Sequence, residues 1–171
     1  PLVDDEVELC RASVVGGALA AGTAWALCEA TARTGELPLV RRGDVDLEHA
    51  RVRLAGTART LPRWGELTEW GTAQLARRLS GLGTDREQCL VVVGGRDAAL
   101  AQSTAVGLIG QTLRRAGLRG APGVKPSSVA AWMGRRVFDE TGRIDVAARR
   151  LGLRSLDRTA RFIGWDWSPD G

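Results

Sequence analysis

Two short amphipathic helices joined by a tight turn constrain this chain more than any other feature. Residues 142–167 read GRIDVAARRLGLRSLDRTARFIGWDW. A first apolar stripe recurs at intervals of three and four residues and predicts a helix that ends at Gly152, where a left-handed residue is easily placed. Ser155 is suited to cap a second helix. The two stripes are formed by Ile144, Ala147, Ala148 and Leu151, and by Leu156, Ala160 and Ile163.

Arginines lie between the apolar positions of this helix pair. Residues 143–161 contain six arginines but only two acidic residues, Asp145 and Asp157. The arginines are Arg143, Arg149, Arg150, Arg154, Arg158 and Arg161. Because guanidinium groups match the geometry of phosphates, the pattern favours a phosphate-rich partner. A solvated helical surface is the simpler interpretation of the same residues.

The charge of the chain is unevenly distributed along its length. Residues 110–162 carry 12 basic and 4 acidic residues, whereas residues 1–109 carry 12 basic and 14 acidic ones. The positive field therefore belongs to the C-terminal third, which suits a phosphate-rich partner. No apolar run approaches the roughly 20 residues of a membrane span, so we expect no membrane partner.

Composition limits the remaining classes of function. A chain of 171 residues with ordinary globular composition predicts one domain. Its single histidine, His49, excludes a histidine-based triad or a multi-histidine metal site, and we expect no metal or cofactor. The three widely spaced cysteines, Cys10, Cys28 and Cys89, indicate reduced core thiols and a cytoplasmic location.

Hydrophobic periodicity predicts a mainly α fold with one small β-hairpin, hence an α+β domain. The predicted helices cover residues 4–15, 18–33, 66–79, 100–116 and 126–140, with a short helical piece at 36–40. The hairpin pairs residues 51–54 with 61–62 around a turn at 56–60. A short buried strand is predicted at 89–93.

Two segments resemble the catalytic domain of tyrosine recombinases, the phage-integrase family. In residues 30–54, Arg33 stands three residues before Glu36, and Asp44 follows eight residues after it, at the family spacing. In residues 126–162, the family's Pro-His-x-x-Arg falls on Pro126, Ser127 and Ala130, its Leu-Gly-His on Leu151, Gly152 and Leu153, and its nucleophilic Tyr on Phe162. The resemblance covers nearly the whole chain and implies one integrase-like domain over residues 1–171.

The chemistry implied by this resemblance is almost entirely missing. In the family a Tyr oxygen attacks a DNA phosphodiester, two Arg neutralise the phosphate, and a Lys and His residues move protons. Here Arg33 alone is retained, and the degenerate positions are Thr57, near the expected hairpin Lys, and Ser127, Ala130, Leu153 and Phe162. The chain contains no Tyr at all. We therefore predict a pseudo-integrase without recombinase activity.

The resemblance also implies partners. The predicted DNA-binding residues are Arg33, Arg114, Arg115, Lys125, Arg149, Arg150, Arg154, Arg158 and Arg161. Because the segment after the family's Tyr often packs onto another subunit, Trp165 and Trp167 are predicted to dock on a partner, either a second copy or an active recombinase. Family members usually carry a DNA-clamping domain before this one, so a chain that starts at Pro1 is expected to be a fragment.

Several alternatives remain open. The 142–167 stretch also resembles the helix–turn–helix of transcriptional regulators, whose second helix enters the major groove. A pseudoenzyme that serves as a protein-interaction or assembly module is a further alternative. Arg33 would then be structural, paired with Glu36 or Asp44, and His49 is expected to be exposed. The serines that could replace the nucleophile are expected to cap helices instead: Ser127, Ser128 and Ser155.

Overall fold

The fold is mainly helical, with a small sheet inserted between the second and third helices. The computed structural model describes residues 1–15, 17–91 and 98–166. Its helices are α1 Asp4–Val14, α2 Leu19–Glu29, α3 Glu69–Ser80, α4 Ala98–Arg115, α5 Ser128–Thr141, α6 Ile144–Leu151 and α7 Leu156–Phe162. Its strands are β1 Val45–Asp46, β2 Arg51–Leu54 and β3 Arg63–Glu66, and the 3-10 helices Leu37–Leu39 and Arg42–Asp44 precede them. The predicted α+β class is confirmed.

Helix α2 is the buried centre of the domain. It packs against α1, α3, α4 and α5, and its Trp25 and Leu27 are fully buried. The many alanines of this helix allow its neighbours to approach closely. The predicted extension of α2 to residue 33 is wrong, because Thr31 adopts a left-handed conformation with φ 74°. The Thr31 hydroxyl donates a hydrogen bond of 2.7 Å to the carbonyl of Arg150, which holds this turn against α6.

The sheet is antiparallel in the order β1-β2-β3, so it has one strand more than the predicted hairpin. The return strand lies at Arg63–Glu66 rather than at residues 61–62. The N–H of Leu61 instead bonds the carbonyl of Gly152 at 2.8 Å, while Gly65 lies where only a glycine can approach the carbonyl of Ala30. The third helix consequently starts later than predicted, with Thr68 as its cap.

No strand forms over the described part of residues 89–93. Cys89 makes an isolated β-bridge with Arg41. Nε of Arg78 donates a hydrogen bond of 2.8 Å to the carbonyl of Leu90. A side chain therefore occupies the position that a neighbouring strand would need. Residues 92 and 93 lie outside the described residues.

The C-terminal helix pair forms as predicted. Gly152 ends α6 with φ 68°, and the Ser155 hydroxyl accepts the N–H of Arg158 at 3.2 Å to cap α7. Leu156 departs from its predicted core position, because 42% of it is exposed. The pair packs on α5 through a second apolar cluster, the C-terminal cluster, formed by Ala130, Phe138, Ile144, Leu151, Leu153, Phe162, Ile163 and Trp165.

None of the helices in the described ranges combines the length and the apolarity needed to cross a membrane.

Candidate nucleic-acid interface

A cleft of about 710 Å³ lies beside Arg33 and is here called the Arg33 cleft. The segment after α2, the hairpin turn, α4, the turn between α6 and α7, and α7 itself each contribute to its wall. The lining residues are Arg33, Thr34, Gly35, Thr57, Ala58, Arg59, Thr60, Gln102, Leu153, Arg158 and Phe162. Three arginines and no carboxylate belong to this lining, so the cleft suits an anion.

Arg33 is the best-defined polar group of the cleft. Its guanidinium carbon lies 3.9 Å from the ring centroid of Phe162. Its Nη1 is buried and has no hydrogen-bond partner within the part of the chain that the structure describes. Burial lowers the pKa of Arg33, and the nearby charge of Arg63 lowers it further, whereas Glu36 raises it. Arg33 therefore lines the cleft with a guanidinium that has a donor which no acceptor of the described chain satisfies.

Glu36 does not form the predicted side-chain pair with Arg33. Its buried carboxylate accepts a bidentate pair from Arg63, at 2.8 Å from Nη1 and 2.9 Å from Nη2. It also accepts the Thr60 hydroxyl at 3.0 Å and the backbone N–H of Arg33 at 2.8 Å. Asp44, the other predicted partner, accepts the backbone N–H of Arg41. The guanidinium of Arg33 therefore remains available to the cleft.

Apolar groups pack together at three of the degenerate positions. Ala130 is buried in the C-terminal cluster, and Leu153 and Phe162 pack against it while they also line the cleft. None of these side chains can transfer a proton or attack a phosphate. The cleft therefore combines the guanidinium of Arg33 with a hydrophobic wall.

Thr57 and Ser127, the other two degenerate positions, have ordinary structural surroundings. The Thr57 hydroxyl accepts the N–H of Arg59 at 3.2 Å and contacts the Thr60 hydroxyl at 3.1 Å, which closes the hairpin turn. Ser127 precedes α5, but its side chain makes no capping hydrogen bond. Ser128 accepts the N–H of Lys125 at 3.0 Å.

The predicted DNA-binding residues are divided among several surfaces. Arg33 and Arg158 share the Arg33 cleft, and Arg154 lines a smaller pocket beside it together with Arg158. Arg161 is exposed on α7. Arg33, Arg154 and Arg158 therefore lie along one basic edge of the cleft.

The remaining predicted arginines and the lysine lie elsewhere. Arg150 is ion-paired with Glu66 and lines a different cleft, while Arg149 is exposed and pairs with Asp145 at 3.1 Å. Arg114 and Lys125 line a groove along α4, and Arg115 lies next to Gly17. Their role in DNA binding stays a prediction.

Arg59 is a basic cleft residue that the sequence interpretation missed. It is exposed in the hairpin turn and lines the cleft with Arg33. The sequence did contain a signal for this residue, because Arg59 is the one basic residue of the predicted turn at 56–60. Gln102 of α4 also lines the cleft, and no local pattern indicated it.

The other predicted features are placed as follows. Trp165 packs against Phe138 of its own chain, with ring centroids 4.5 Å apart, so its docking on a partner stays a prediction. Trp167 lies outside the described residues. His49 is exposed, as expected. The helix–turn–helix alternative requires a protruding recognition helix, whereas Arg158 and Phe162 of α7 line a concavity. No group of three or more His, Cys, Asp or Glu side chains within the described ranges is arranged to hold a metal.

Comparison with known proteins supports the architecture. The fold matches a crystal structure of XerA recombinase with a TM-score of 0.74 and 21% sequence identity. The match covers 98% of this chain and 61% of that chain, so this chain spans less than two thirds of its structural neighbour. No family model and no curated protein matches the sequence. The chain therefore has a tyrosine-recombinase-like fold.

Proposed function

We propose that this chain is a catalytically inactive recombinase-like domain that binds duplex DNA through the Arg33 cleft. The observation that carries the proposal is the guanidinium of Arg33, which lies over Phe162 with Nη1 buried and unpartnered in the described structure. A guanidinium whose side-chain donors lack a carboxylate partner is unfavourable in a half-buried position, and a phosphate in the cleft would bring acceptor oxygens and negative charge to it.

The surroundings of Arg33 favour a polyanion over a small anion. Arg59 and Arg158 line the same cleft, and Arg154 continues the basic edge outside it. Because these side chains are exposed, they can meet several phosphates along a nucleic-acid backbone. The XerA recombinase match supports the same choice, since a recombinase acts on DNA.

The absence of activity is proposed from the residues at the degenerate positions. Phe162 carries no oxygen nucleophile, and Ala130 and Leu153 contribute no donor or acid to the cleft. Loss of each acid–base group costs a recombinase on the order of 10²- to 10⁴-fold in rate. Binding does not need these groups, so it can persist after the chemistry is lost.

The test is fluorescence anisotropy with a labelled duplex of about 30 base pairs, titrated at several salt concentrations. We expect the logarithm of the association constant to fall steeply with the logarithm of salt concentration. Arg158→Ala should reduce the slope by about one phosphate contact, which is about 0.9. Arg77→Ala is the matched control, because Arg77 is exposed on α3 and does not line the cleft.

Two outcomes would reject this function. One is the absence of duplex binding even at low salt. The other is binding that Arg158→Ala and Arg77→Ala weaken equally, because the affinity would then reflect the overall charge of the chain and not the Arg33 cleft.

A further inference from the structure

The outer face of the sheet exposes a tryptophan that the proposed function does not use. Trp64 of β3 is 47% exposed, whereas Trp25 and Trp132 are buried in the core. Strand alternation explains the position, because Gly65 and the inward-facing residues of β2 are buried while Trp64 lies on the opposite face. A large aromatic ring left in water is a common feature of binding surfaces.

Arg51 of β2 packs over the ring of Trp64 and holds it in place. The guanidinium carbon of Arg51 lies 4.3 Å from the ring centroid, and Nε of Arg51 donates to Asp46 at 2.9 Å. The hydrogen bond from His49, together with that from Arg51, lowers the pKa of Asp46 to about 2. Asp46 therefore stays ionised at neutral pH and holds Arg51 over the ring.

The same face presents a positive charge next to the ring. Arg53 is the cross-strand partner of Trp64, is exposed, and makes no ion pair within the residues that the structure describes. Glu66, the other outward residue of β3, is paired with Arg150. The surface formed by Arg51, Arg53 and Trp64, here called the Trp64 face, therefore combines an aromatic platform with an uncompensated cation.

We propose that the Trp64 face binds an unpaired base of a single-stranded nucleic acid. The base stacks on the indole ring of Trp64, and Arg53 contacts the adjacent phosphate. Stacking suits any base because every base has a π-face, and the cation beside the ring supplies the electrostatic part of the affinity. An acidic protein partner would use Arg53 alone and would leave the fixed ring without a function.

The Trp64 face is separate from the lining of the Arg33 cleft, although the two surfaces are linked by one hairpin. Arg53 and Trp64 lie just before and just after the loop whose residues 57–60 line the cleft. A duplex in the cleft and an unpaired end on the sheet can therefore belong to one DNA molecule. The stacking proposal does not require that the cleft binds duplex.

The test uses a labelled oligothymidylate of about 12 nucleotides, followed by anisotropy, with the full chain. We expect Trp64→Ala to weaken binding about tenfold, because stacking on one aromatic side chain contributes on this scale. Trp64→Phe is the matched control, since it keeps a ring and should lose less than about threefold. Arg53→Ala should reduce the salt slope by about 0.7, the value of one phosphate in a single strand.

Equal binding by Trp64→Ala and the unsubstituted chain would overturn the proposal, as would the absence of oligothymidylate binding at low salt. Thermal melting of each variant verifies folding, which these exposed positions should leave unchanged. A blunt duplex is titrated in parallel. If the unsubstituted chain binds the oligothymidylate but not the duplex, the function of the Arg33 cleft is rejected and the stacking proposal stands. If Trp64→Ala binds the duplex normally but the oligothymidylate weakly, the defect belongs to the Trp64 face.

Discussion

Arg11 and Arg33 are two of the arginines that lie against aromatic rings, and within the described structure the guanidinium of Arg11 has carboxylate partners whereas that of Arg33 has none. Arg11 of α1 lies 5.4 Å from the ring centroid of Trp70 and donates two hydrogen bonds, of 2.8 and 2.7 Å, to the fully buried carboxylate of Glu29. Arg33 lies over Phe162 and leaves Nη1 without a partner in the described structure.

The pKa values of the two guanidinium groups respond in opposite directions. The hydrogen bonds that Arg11 donates to Glu29 raise the pKa of Arg11, and they outweigh the lowering by burial. For Arg33, burial is the largest influence and lowers the pKa. The first guanidinium is satisfied by the carboxylates of Glu8 and Glu29 and so stabilises the fold. The second lines the Arg33 cleft without a carboxylate partner in the described structure, as a ligand site needs to.

The largest expected effect is the loss of stability in Arg11→Met. Glu29 would keep its bonds to Nε1 of Trp25 at 2.9 Å and to the Thr68 hydroxyl at 2.8 Å, but it would lose its counter-charge in the core. Breaking a buried pair from one side costs about 3 kcal/mol or more. Urea denaturation followed by circular dichroism should show this loss in the free energy of unfolding.

The double variant Arg11→Met/Glu29→Gln is the control for this prediction. It removes both charges and should recover part of the lost stability, because no uncompensated carboxylate remains in the core. A loss below about 1 kcal/mol in the single variant would show that Glu29 does not depend on Arg11. The contrast between the two arginines would then disappear.

Arg33→Met should lower duplex affinity and leave stability intact, in contrast to Arg11→Met. Because it removes a buried charge that has no carboxylate partner, the free energy of unfolding should stay unchanged or rise by up to about 1 kcal/mol. Duplex affinity should fall about tenfold or more, the scale of one hydrogen bond to a charged group. Urea denaturation and anisotropy on the same preparation measure the two effects. A large loss of stability would instead identify Arg33 as structural.

Inorganic phosphate should produce a smaller effect. A ligand that binds only the folded state raises its stability, here by less than about 1 kcal/mol at moderate saturation. The melting temperature should therefore rise when phosphate replaces chloride at constant ionic strength. Arg33→Met should abolish the part of the rise that depends on the cleft, whereas Arg11→Met should retain it. An equal rise in both variants would indicate a general salt effect.

The sequence predicted those parts of the molecule that depend on neighbouring residues. Gly152 and Ser155 end and start helices through their own backbone and side chain, so α6 and α7 could be located correctly. The position of β3 could not, because Gly65 is selected by a contact with Ala30 that is distant in the chain. The mainly helical class followed from periodicity alone.

The candidate site shows the same division between features set by neighbouring residues and features set by residues distant in the chain. One alternative interpretation of the sequence paired Arg33 with Glu36 or Asp44, yet the Glu36 carboxylate accepts from Arg63, 27 residues away. Only the folded chain shows that Arg33 is left open to the cleft. The resemblance located Phe162 beside Arg33, but the packing of Phe162 into an apolar cluster could not be predicted from its motif.

The smallest expected effect is that of Phe162→Tyr, which introduces a hydroxyl next to Arg33. We expect no covalent DNA adduct, because attack on a phosphodiester also needs groups that stabilise charge and donate a proton to the leaving oxygen. Ala130 and Leu153 cannot supply them. Denaturing electrophoresis of the variant with a labelled nicked duplex tests this. A protein–DNA adduct that is absent with the unsubstituted chain would show that the cleft retains catalytic capacity, and that loss of one oxygen alone separates it from an active enzyme.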